Sequence, residues 1–472
     1  SLFDSPVERY LKARRSIQHF TVIQLGKCCS DTAKCLSFHR YVVHSYNFFL
    51  FPSTLGITDV EFSFSASSIQ FLSHYGFDYN KFLKDGIPYM NEVQENILSQ
   101  HLSASSWKHS SSLDRDVLKK AIDEVTCWIA AAEEEETMIL QDLSGYQIFE
   151  VQLVLRRALQ NVWTQPLGGK KIMVKKVSPQ RRQLLVNSRY DYCQKELILL
   201  SARGFTNLFR MLVRAKKPLV GHNMFMDLMH LHDKFYKPLP ESYEEFKRNI
   251  HNLFPVLIDT KTVTKSIWKK CLFPRVSNLL ETYMILCSSN VNLKDPTCPV
   301  IALASDCSRY AEKKIPHEAG YDAFLCGSDT MLCWTNKTLL HFVCRYSDAV
   351  EAMPSFPQYL TMLAKYLNKV NFIRGGVSSI NFSGEDTPCR HPPRLVVHVQ
   401  GWPEVNERQI CQEFKAICHF DVRRLSKNQF ILLSNKFKHV RFILRDFKHH
   451  PHLRISVYRH WRHSPHVSCL LR

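Results

Sequence analysis

The sequence lacks the features that mark several large classes of protein. No apolar run among its 472 residues approaches the roughly 18 that a membrane-spanning helix needs, and no signal peptide opens it. Its 16 cysteines are scattered, without the paired Cys or Cys/His spacing of a zinc finger. These absences argue against membrane-spanning and zinc-finger proteins, and they predict a soluble chain in a reducing compartment such as the cytoplasm.

Acidic residues are also in the minority. Asp and Glu number 43 against 62 Lys and Arg, so the formal net charge is +19 and the isoelectric point is near 9.3. A positive field attracts polyanions, and RNA, DNA and an anionic membrane are each compatible with it as partners. Hydrophobic residues make up 45% of the chain, which is enough for two or three domains to fold around separate cores.

Two stretches of mixed α/β pattern surround a segment that looks different. Residues 1–110 contain apolar strand patterns that start at Phe20 and Tyr46, and residues 187–374 alternate helices and short strands again. Residues 113–186 combine an amphipathic helix, an acidic run and a basic segment. We interpret this middle segment as an insertion into one α/β domain whose two parts share a sheet. RNA contact and a solvated surface are equally compatible with its basic residues, which are Lys170, Lys171, Lys175, Lys176, Arg181 and Arg182.

The last segment, residues 394–465, has its own order of elements. Its pattern predicts strand, helix, strand, strand, helix, strand, which is the βαββαβ order of RNA-recognition domains. The RNA-reading signature is nearly absent, because the third strand offers only Phe430 where several aromatics and glycines are typical. RNA binding, protein binding and a merely basic surface are therefore alternatives for this domain.

One carboxylate stands in an apolar helix. Met and Leu flank Asp227 on both sides in Val220-Gly-His-Asn-Met-Phe-Met-Asp-Leu-Met-His. Burying an isolated carboxylate costs several kcal/mol, so a buried Asp227 would require a cation or a set of hydrogen-bond donors. The alternative is an Asp on the solvent side of an amphipathic helix.

A second carboxylate follows a histidine in Pro316-His-Glu-Ala-Gly-Tyr-Asp. Pro316 is well placed to start a helix. His317 and Asp322 are five positions apart, about 140° around a helix, so they cannot ligate a metal as an i, i+4 pair. His317 should instead stand before or at the first turn, where it could take a proton from a water that Asp322 helps a metal to hold. A packing or capping histidine is the alternative.

A third acid, Asp259, ends the apolar strand Val256-Leu-Ile-Asp. A turn-forming or capping role and a contact with substrate are equally compatible with this position.

Five stretches carry a family resemblance when they are taken in their order along the chain. They are Phe3-Asp-Ser-Pro-Val-Glu-Arg-Tyr, Phe20-Thr-Val-Ile-Gln-Leu-Gly, Gly76-Phe-Asp-Tyr-Asn-Lys-Phe-Leu-Lys-Asp-Gly-Ile-Pro-Tyr-Met-Asn, Val220-Gly-His-Asn-Met and His317-Glu-Ala-Gly-Tyr-Asp. Together they resemble the poly(A)-specific ribonuclease family of DEDD-type exonucleases. Overall similarity is greatest to the branch of this family that trims piRNA precursors.

The resemblance implies a fold, an activity and a set of site residues. The fold would be a ribonuclease H-like α/β exonuclease domain with an inserted small α/β module and a C-terminal RNA-recognition-like domain. The activity would be 3′-to-5′ hydrolysis of single-stranded RNA with two Mg²⁺ ions, releasing nucleoside 5′-monophosphates. The implied catalytic residues are Asp227 and Asp322, as the third and fourth carboxylates and metal ligands, and His317, as the general base. The implied substrate-binding residues are His222, Asn223, Asp259 and Lys261.

The chain departs from the family pattern in two places. The family's first two carboxylates belong to an Asp-x-Glu strand that precedes the strand from Phe20, so we expect this strand upstream of residue 1. Asp59-Val-Glu-Phe imitates the motif but follows the strands that the family motif precedes, and we interpret it as a decoy. Residues 1–472 alone are therefore expected to be inactive. A C-terminal anchor like that of the trimming relatives would place a longer chain on the cytosolic face of mitochondria or the endoplasmic reticulum.

Two classes of function follow from the resemblance. The first is an exoribonuclease that acts on RNA 3′ ends, with small-RNA precursors or poly(A) as substrate, in company with small-RNA effector and adaptor proteins or as a homodimer. The second is a catalytically incomplete RNA-binding or scaffold form. The presence of an upstream Asp-x-Glu strand discriminates the two.

Overall fold

A computed structural model describes most of the chain. The described residues are 3–34, 39–53, 60–103, 112–143, 147–167, 171–186, 188, 195–270, 278–291, 300–335, 360–361, 363–373, 377–388, 392–402, 404–417, 420–434, 436–464 and 467. The chain divides into two compact units, a larger one of residues 14–240 and 249–367 and a smaller one of residues 1–13, 241–248 and 368–472. No helix within the described residues is long and apolar enough to cross a membrane.

The larger unit contains a four-stranded sheet. Its strands are β1 (Gln24–Lys34), β2 (His39–Pro52), β3 (Ile87–Tyr89) and β9 (Val300–Leu303). β1 and β2 pair antiparallel, while β3 and β9 each pair parallel to β2. Because β9 comes from the later part of the chain, both stretches of α/β pattern contribute strands to this sheet.

The first strand begins later than its apolar pattern predicts. The pattern starts at Phe20, whereas β1 starts at Gln24. The Ile23 carbonyl accepts a hydrogen bond from the Leu50 N–H at 3.0 Å, yet β1 is an edge strand among the described residues. Residues 20–23 lie outside the regular ladder, although β2 continues to Pro52 opposite them.

Side-chain caps begin two of the first four helices of the chain. These helices are α1 (Pro6–His19), α2 (Ala66–His74), α3 (Tyr79–Asp85) and α4 (Glu92–Ser103). The Ser65 hydroxyl accepts the Ser68 N–H at 3.2 Å, and the Asp78 carboxylate accepts the Lys81 N–H at 2.9 Å. Each bond satisfies an N–H that the helix itself leaves unpaired.

Residues 112–186 form a small sheet with its own core. The elements are α5 (Ser112–Ala131), β4 (Thr137–Leu140), α6 (Gln147–Ala158), β5 (Val162–Leu167), β6 (Lys171–Lys176) and α7 (Pro179–Val186). The three strands are antiparallel in the order β4-β6-β5. The core residues include Leu118, Val125, Val151, Leu155, Val162 and Val174.

Three basic residues of this segment serve its own structure. Lys176 Nζ donates to two carbonyls at the end of α5, at 2.6 and 3.0 Å. Arg182 donates to carbonyls at the end of α6, two of them at 2.5 and 2.8 Å, and Lys175 pairs with Glu135. Cations are favourable at helix C-termini, where carbonyls lack partners. These contacts favour a structural reading of the three residues over RNA contact.

A second, two-stranded sheet lies in the later part of the larger unit. β7 (Leu219–Gly221) and β8 (Leu257–Asp259) pair parallel. The helices around them are α8 (Lys195–Arg203), α9 (Phe205–Ala215), α10 (Phe225–Leu231) with a π-helical turn (His232–Tyr236), α11 (Tyr243–Leu253) and α12 (Thr260–Lys270). Phe209 packs against Phe235 and Phe254, with ring centroids 5.6 and 6.0 Å away.

One long helix lies against both sheets. The remaining described elements of the larger unit are α13 (Leu279–Val291), a 3₁₀ turn (Ser305–Cys307), α14 (Arg309–Glu312) and α15 (Ala319–Thr335). α15 packs against β1, β2 and β7. It therefore brings Asp322, in its first turn, to the place where the two sheets approach the same helix.

The smaller unit contains a two-stranded and a four-stranded antiparallel sheet. β10 (Lys369–Asn371) pairs with β11 (Ser379–Asn381), and β12 (Leu395–Val399), β13 (Asp421–Ser426), β14 (Gln429–Leu433) and β15 (Leu453–Val457) are arranged in the order β13-β14-β12-β15. The helices are α16 (Glu407–Phe414), α17 (Phe437–Asp446) and α18 (His460–His463). The order strand, helix, strand, strand, helix, strand from β12 to β15 confirms the predicted sequence of elements.

Residues 1–13 belong to this smaller unit rather than with the strands that follow them. The Tyr10 ring stacks on Phe246 at 5.1 Å, and the Arg9 guanidinium lies over Phe372 at 5.4 Å. The sequence prediction had grouped these residues with the first α/β stretch.

Candidate active site

Asp227 lies in the first turn of α10, directly after the loop that leaves β7. The helix buries Phe225, Leu228 and Met229, and Asp227 is on its exposed side. Although part of the residue reaches solvent, protein atoms crowd the carboxyl group. This burial, and then the nearby Asp259 carboxylate, raises the pKa of Asp227 to about 6. A cation beside this carboxylate would be strongly favoured.

Asp259 holds the loop that positions Asp227. Its side chain is 1% exposed, and its Oδ1 atom accepts the backbone N–H groups of Asn223 and Lys261, each at 2.9 Å. Its Oδ2 atom accepts the Met224 N–H at 3.3 Å. A carboxylate with these donors cannot also contact substrate without giving them up. These bonds favour the capping alternative for Asp259, and its implied contact with substrate stays a prediction.

The neighbouring substrate-binding candidates line the same loop. Asn223 adopts φ +60°, a left-handed conformation that Asn tolerates better than most residues. The His222 Nδ1 atom lies 2.8 Å from the Thr260 hydroxyl, and burial, followed by the charges of Lys261 and Lys265, lowers the pKa of His222 to about 4. His222 is therefore neutral near pH 7, next to a cationic Lys261 at the start of α12.

Side chains from β1 and β2 fix the N-terminus of α15. The Ala319 N–H donates to the Gln24 amide oxygen at 3.0 Å, and the Gly320 N–H donates to the Asn47 amide oxygen at 3.1 Å. A side chain on Gly26 would lie 1.7 Å from the Ala319 carbonyl oxygen, so only glycine permits this approach. Two N–H groups that the helix leaves unpaired are thus satisfied, and Asp322 is held against the first sheet.

His317, just before α15, lies beside Asp322 in the first turn of that helix. His317 is exposed and adopts φ +67°, and its backbone N–H donates to the Asp322 carboxylate. Burial raises the pKa of Asp322, and the adjacent His317 opposes this rise. The position of His317 just outside the helix confirms the sequence argument that the pair could not be an i, i+4 pair.

Two aromatic residues that the sequence reasoning missed flank His317. The rings of Phe71 and Tyr75 contact its imidazole edge to face, with centroids 4.9 and 4.3 Å away. Both belong to the α2 region and are exposed, and α2 buries none of its residues. Two aromatics four positions apart after the capping Ser65 were the signal that could have found them. They form an exposed aromatic surface beside the histidine.

The sequence also contains the imitation of the Asp-x-Glu motif at Asp59 and Glu61. Asp59 lies outside the described residues, and Glu61 is exposed in an irregular segment.

Mg²⁺ prefers carboxylate oxygens, and Asp227 and Asp322 supply them. The raised pKa of each is the response of a crowded carboxylate without a neighbouring cation, and a bound metal ion would reverse it. Within the part of the chain that is described, no group of three or more His, Cys, Asp or Glu side chains could hold a metal ion. Carboxylate oxygens are the kind of ligand that a divalent ion takes, and ligands beyond these two residues would be needed to complete its coordination.

A buried, neutral histidine, His232, follows α10 directly in the chain. His232 is fully buried; its Nδ1–H donates to the Lys237 carbonyl at 2.8 Å, and its Nε2 accepts the Asn249 amide at 3.1 Å. Burial, opposed by this carbonyl and by Asp233, lowers its pKa from 6.5 to about 4. Protonation would remove the acceptor that Asn249 requires.

Acid should therefore destabilise the larger unit between pH 6.5 and 4. In this window the unfolded state binds a proton at residue 232 and the folded state does not, so stability is complete above pH 6.5 and falls as pH decreases, by up to roughly 3 kcal/mol at pH 4. In urea unfolding at several pH values, His232→Gln should flatten this slope, whereas His449→Gln, at an exposed position, should not. An unchanged slope in His232→Gln would assign the acid sensitivity elsewhere.

These residues lie within a region that matches a known family. The model for the CAF1 family of ribonucleases matches residues 1–328, which include Asp227, His317 and Asp322. The chain therefore belongs to the CAF1 family of ribonucleases, which confirms the resemblance drawn from its motifs.

Curated relatives cover the whole chain. It is 56% identical to the poly(A)-specific ribonuclease PNLDC1 of Mus musculus over 474 residues, with 100% of this chain and 88% of the relative covered. It is 29% identical to the pre-piRNA 3′-exonuclease trimmer of Bombyx mori, with 98% of this chain and 86% of the relative covered. Identity to the poly(A)-specific ribonuclease PARN of Bos taurus is 27%, with 97% of this chain and 73% of the relative covered. The trimmer-like similarity inferred from the sequence is thus greater than the similarity to PARN.

Proposed function

We propose that this protein is a 3′-to-5′ exoribonuclease that trims single-stranded RNA, with piRNA precursors as the natural substrate class. The observation that carries the proposal is the pairing of exposed His317 with Asp322, whose pKa is raised, inside the matched ribonuclease region. An exposed histidine at a helix mouth can accept a proton from attacking water, and a carboxylate beside it can orient that water or a metal ion. The names of the PNLDC1 and trimmer relatives support the same reaction.

Asp227 and Asp322 would hold divalent metal, with Mg²⁺ as the ion that their oxygen atoms suit best. When bound, such ions lower the pKa of water and stabilise the leaving 3′ oxygen. His317 then accepts the water proton at a ring nitrogen. Asp259 keeps the β7–α10 loop in place, so that Asp227 does not move as the charge around it changes.

The remaining carboxylates would come from the family's Asp-x-Glu strand. Two strand edges are compatible with it, because β1 and β7 each have a strand partner on one side only among the described residues, and α15 packs against both strands. A strand inserted between them would complete both ladders. It would also carry its carboxylates toward the helix that bears Asp322.

The βαββαβ segment from β12 to β15 would be an RNA-recognition-like domain, and residues 112–186 an inserted module. The strand order β13-β14-β12-β15 and the separate cores of the two segments support these assignments.

Phe71 and Tyr75 would stack on the terminal bases of the RNA. Base stacking on an aromatic residue contributes about 1–3 kcal/mol, so the Phe71→Ala/Tyr75→Ala double variant should raise KM by about tenfold or more. Steady-state kinetics on a short oligoribonucleotide measure this change. Phe71→Tyr should retain near-normal KM because it keeps the ring. A double variant with unchanged KM would make the aromatic pair a support for His317 alone.

The function is tested with end-labelled RNAs, the longest native chain and Mg²⁺. RNA with a free 3′-hydroxyl should shorten one nucleotide at a time and release nucleoside 5′-monophosphates, while RNA with a 2′-O-methylated terminus should be trimmed poorly. Asp322→Asn in the same chain is the control for a contaminating nuclease. Trimming confined to poly(A) would select the deadenylase alternative. Tight binding without trimming would select the catalytically incomplete scaffold.

A further inference from the structure

In the four-stranded sheet of the smaller unit, the two central strands, β12 and β14, carry buried side chains on both faces. Leu395, Val397, Phe430 and Leu432 point to one face and pack into the core with residues of α16 and α17. Side chains alternate along a strand, so Val396, Ile431 and Leu433 point to the other face. They are only 2%, 7% and 4% exposed. The centre of the second face is therefore also closed to solvent, whereas Arg423 on β13 and Arg454 and Ser456 on β15 are exposed at its sides.

The N-terminal residues of the chain contribute to this cover. The Phe3 ring lies 5.9 Å from the Arg394 guanidinium and 5.2 Å from that of Arg423, which stands on β13 beside Ile431. Asp4, which is 2% exposed, fixes this segment through Lys12 at 2.5 Å and Arg9 at 3.2 Å. RNA-recognition domains read RNA on aromatics of this sheet face. Here part of that face is occupied by residues of the same chain.

α17 presents a different surface. Val440 and Ile443 face the core, and Phe437 and Phe442 are 47% and 41% exposed. Phe437 and Phe442 are separated by about 140° around the helix, and Lys438 and Arg441 fall between them. Both basic residues are exposed. We call this set of four residues the α17 face.

α17 also differs from α16 in charge. The single acidic residue of α17, Asp446, accepts a hydrogen bond from Arg445 at 2.7 Å. α16 instead carries exposed Glu407 and Glu413 beside one exposed arginine, Arg408. A polyanion would therefore favour α17. Two exposed aromatic rings around two cations are the combination that binds single-stranded nucleic acid by stacking and phosphate contact.

We propose that the α17 face, and not the sheet face, binds the single-stranded RNA upstream of the 3′ end. This inference rests on the proposed RNA-trimming function, because it takes RNA as the polyanion. Phe437 and Phe442 would stack on bases, and Lys438 and Arg441 would contact phosphates. The RNA would be held without readout of its sequence, since every base has a face on which an aromatic ring can stack.

The test measures the affinity of the longest native chain for an RNA of about 30 nucleotides and for one of about 6, over a range of salt concentrations. Lys438→Ala/Arg441→Ala should reduce the slope of log K against log salt for the long RNA by about 1.4, at about 0.7 per phosphate contact. Phe437→Ala/Phe442→Ala should weaken long-RNA binding about tenfold or more with the slope unchanged. The rate of trimming of the short RNA should stay as in the parent protein in both variants.

The matched control is Arg408→Ala/Lys415→Ala, which removes two exposed cations from the α16 side and should leave the slope unchanged. An equal loss in this control, or equal weakening of short and long RNA, would overturn the proposal. Binding of a poly-glutamate peptide is measured in parallel; its loss in the α17 variants, with RNA binding intact, would assign the face to an acidic protein partner instead. Absence of trimming with normal long-RNA binding would contradict the proposed function and not this surface.

Discussion

Replacing His317 by alanine in the longest native chain is expected to slow 3′ trimming by about 10²–10⁴-fold, the usual contribution of a general base. The affinity for RNA should change by no more than about twofold, because a base that contacts water lowers the barrier without holding the tail. His317 is exposed and lies outside a helix, so its removal should leave folding nearly unchanged. Single-turnover rates and equilibrium binding on the same RNA separate the two effects.

Two further variants distinguish chemistry from local structure at this position. His317 adopts φ +67°, so His317→Gly removes the imidazole while relaxing the backbone. If the imidazole acts as a base, added imidazole should restore part of the rate in both the alanine and glycine variants. His74→Ala, at an exposed histidine in the last turn of α2, should behave as the parent protein. Equal losses of rate and affinity, without rescue, would show that His317 only supports Phe71 and Tyr75.

Much of the fold followed from local patterns. The order of elements from β12 to β15 was predicted, because each of these elements is defined by residues next to one another in sequence. The start of β1 did not follow, since the apolar pattern from Phe20 extends beyond the residues that join the regular ladder with β2. The placement of residues 1–13 also depends on contacts with residues more than 200 positions away, such as Phe246.

In the candidate site, too, some features followed from local sequence and others became visible only in the folded chain. Asp227 and Asp322 stood out as carboxylates among apolar neighbours, and the turn geometry at His317 followed from the helical period. The role of Asp259 was left open, because a capping and a substrate-binding Asp look the same until the N–H groups of Asn223 and Lys261 are seen on its oxygen. Phe71 and Tyr75 were missed because their proximity to His317 joins segments more than 240 positions apart.

The largest single effect is expected from completing the carboxylate set around Asp227 and Asp322. We expect no measurable 3′ trimming by residues 1–472 alone, and Mg²⁺-dependent trimming when a strand with the Asp-x-Glu pair precedes them in the same chain. Mg²⁺ demands near-octahedral oxygen ligation and gives up its waters reluctantly, so two carboxylates cannot fix or neutralise a pair of these ions. Among the described residues β1 and β7 each have a strand partner on one side only, and such edges should favour self-association of residues 1–472.

The comparison uses one end-labelled RNA with both chains, together with light scattering to follow self-association. In the longer chain, Asp227→Asn and Asp322→Asn should each reduce trimming to background. Asp259→Asn weakens the backbone bonds of the β7–α10 loop and should reduce trimming less, together with thermal stability, because this residue positions Asp227 and does not bind metal. The decisive result against this view is Mg²⁺-dependent trimming by residues 1–472 that is lost on changing Asp59 or Glu61. That result would identify Asp59 and Glu61 as the first two catalytic carboxylates. An upstream Asp-x-Glu strand would then not be needed for activity.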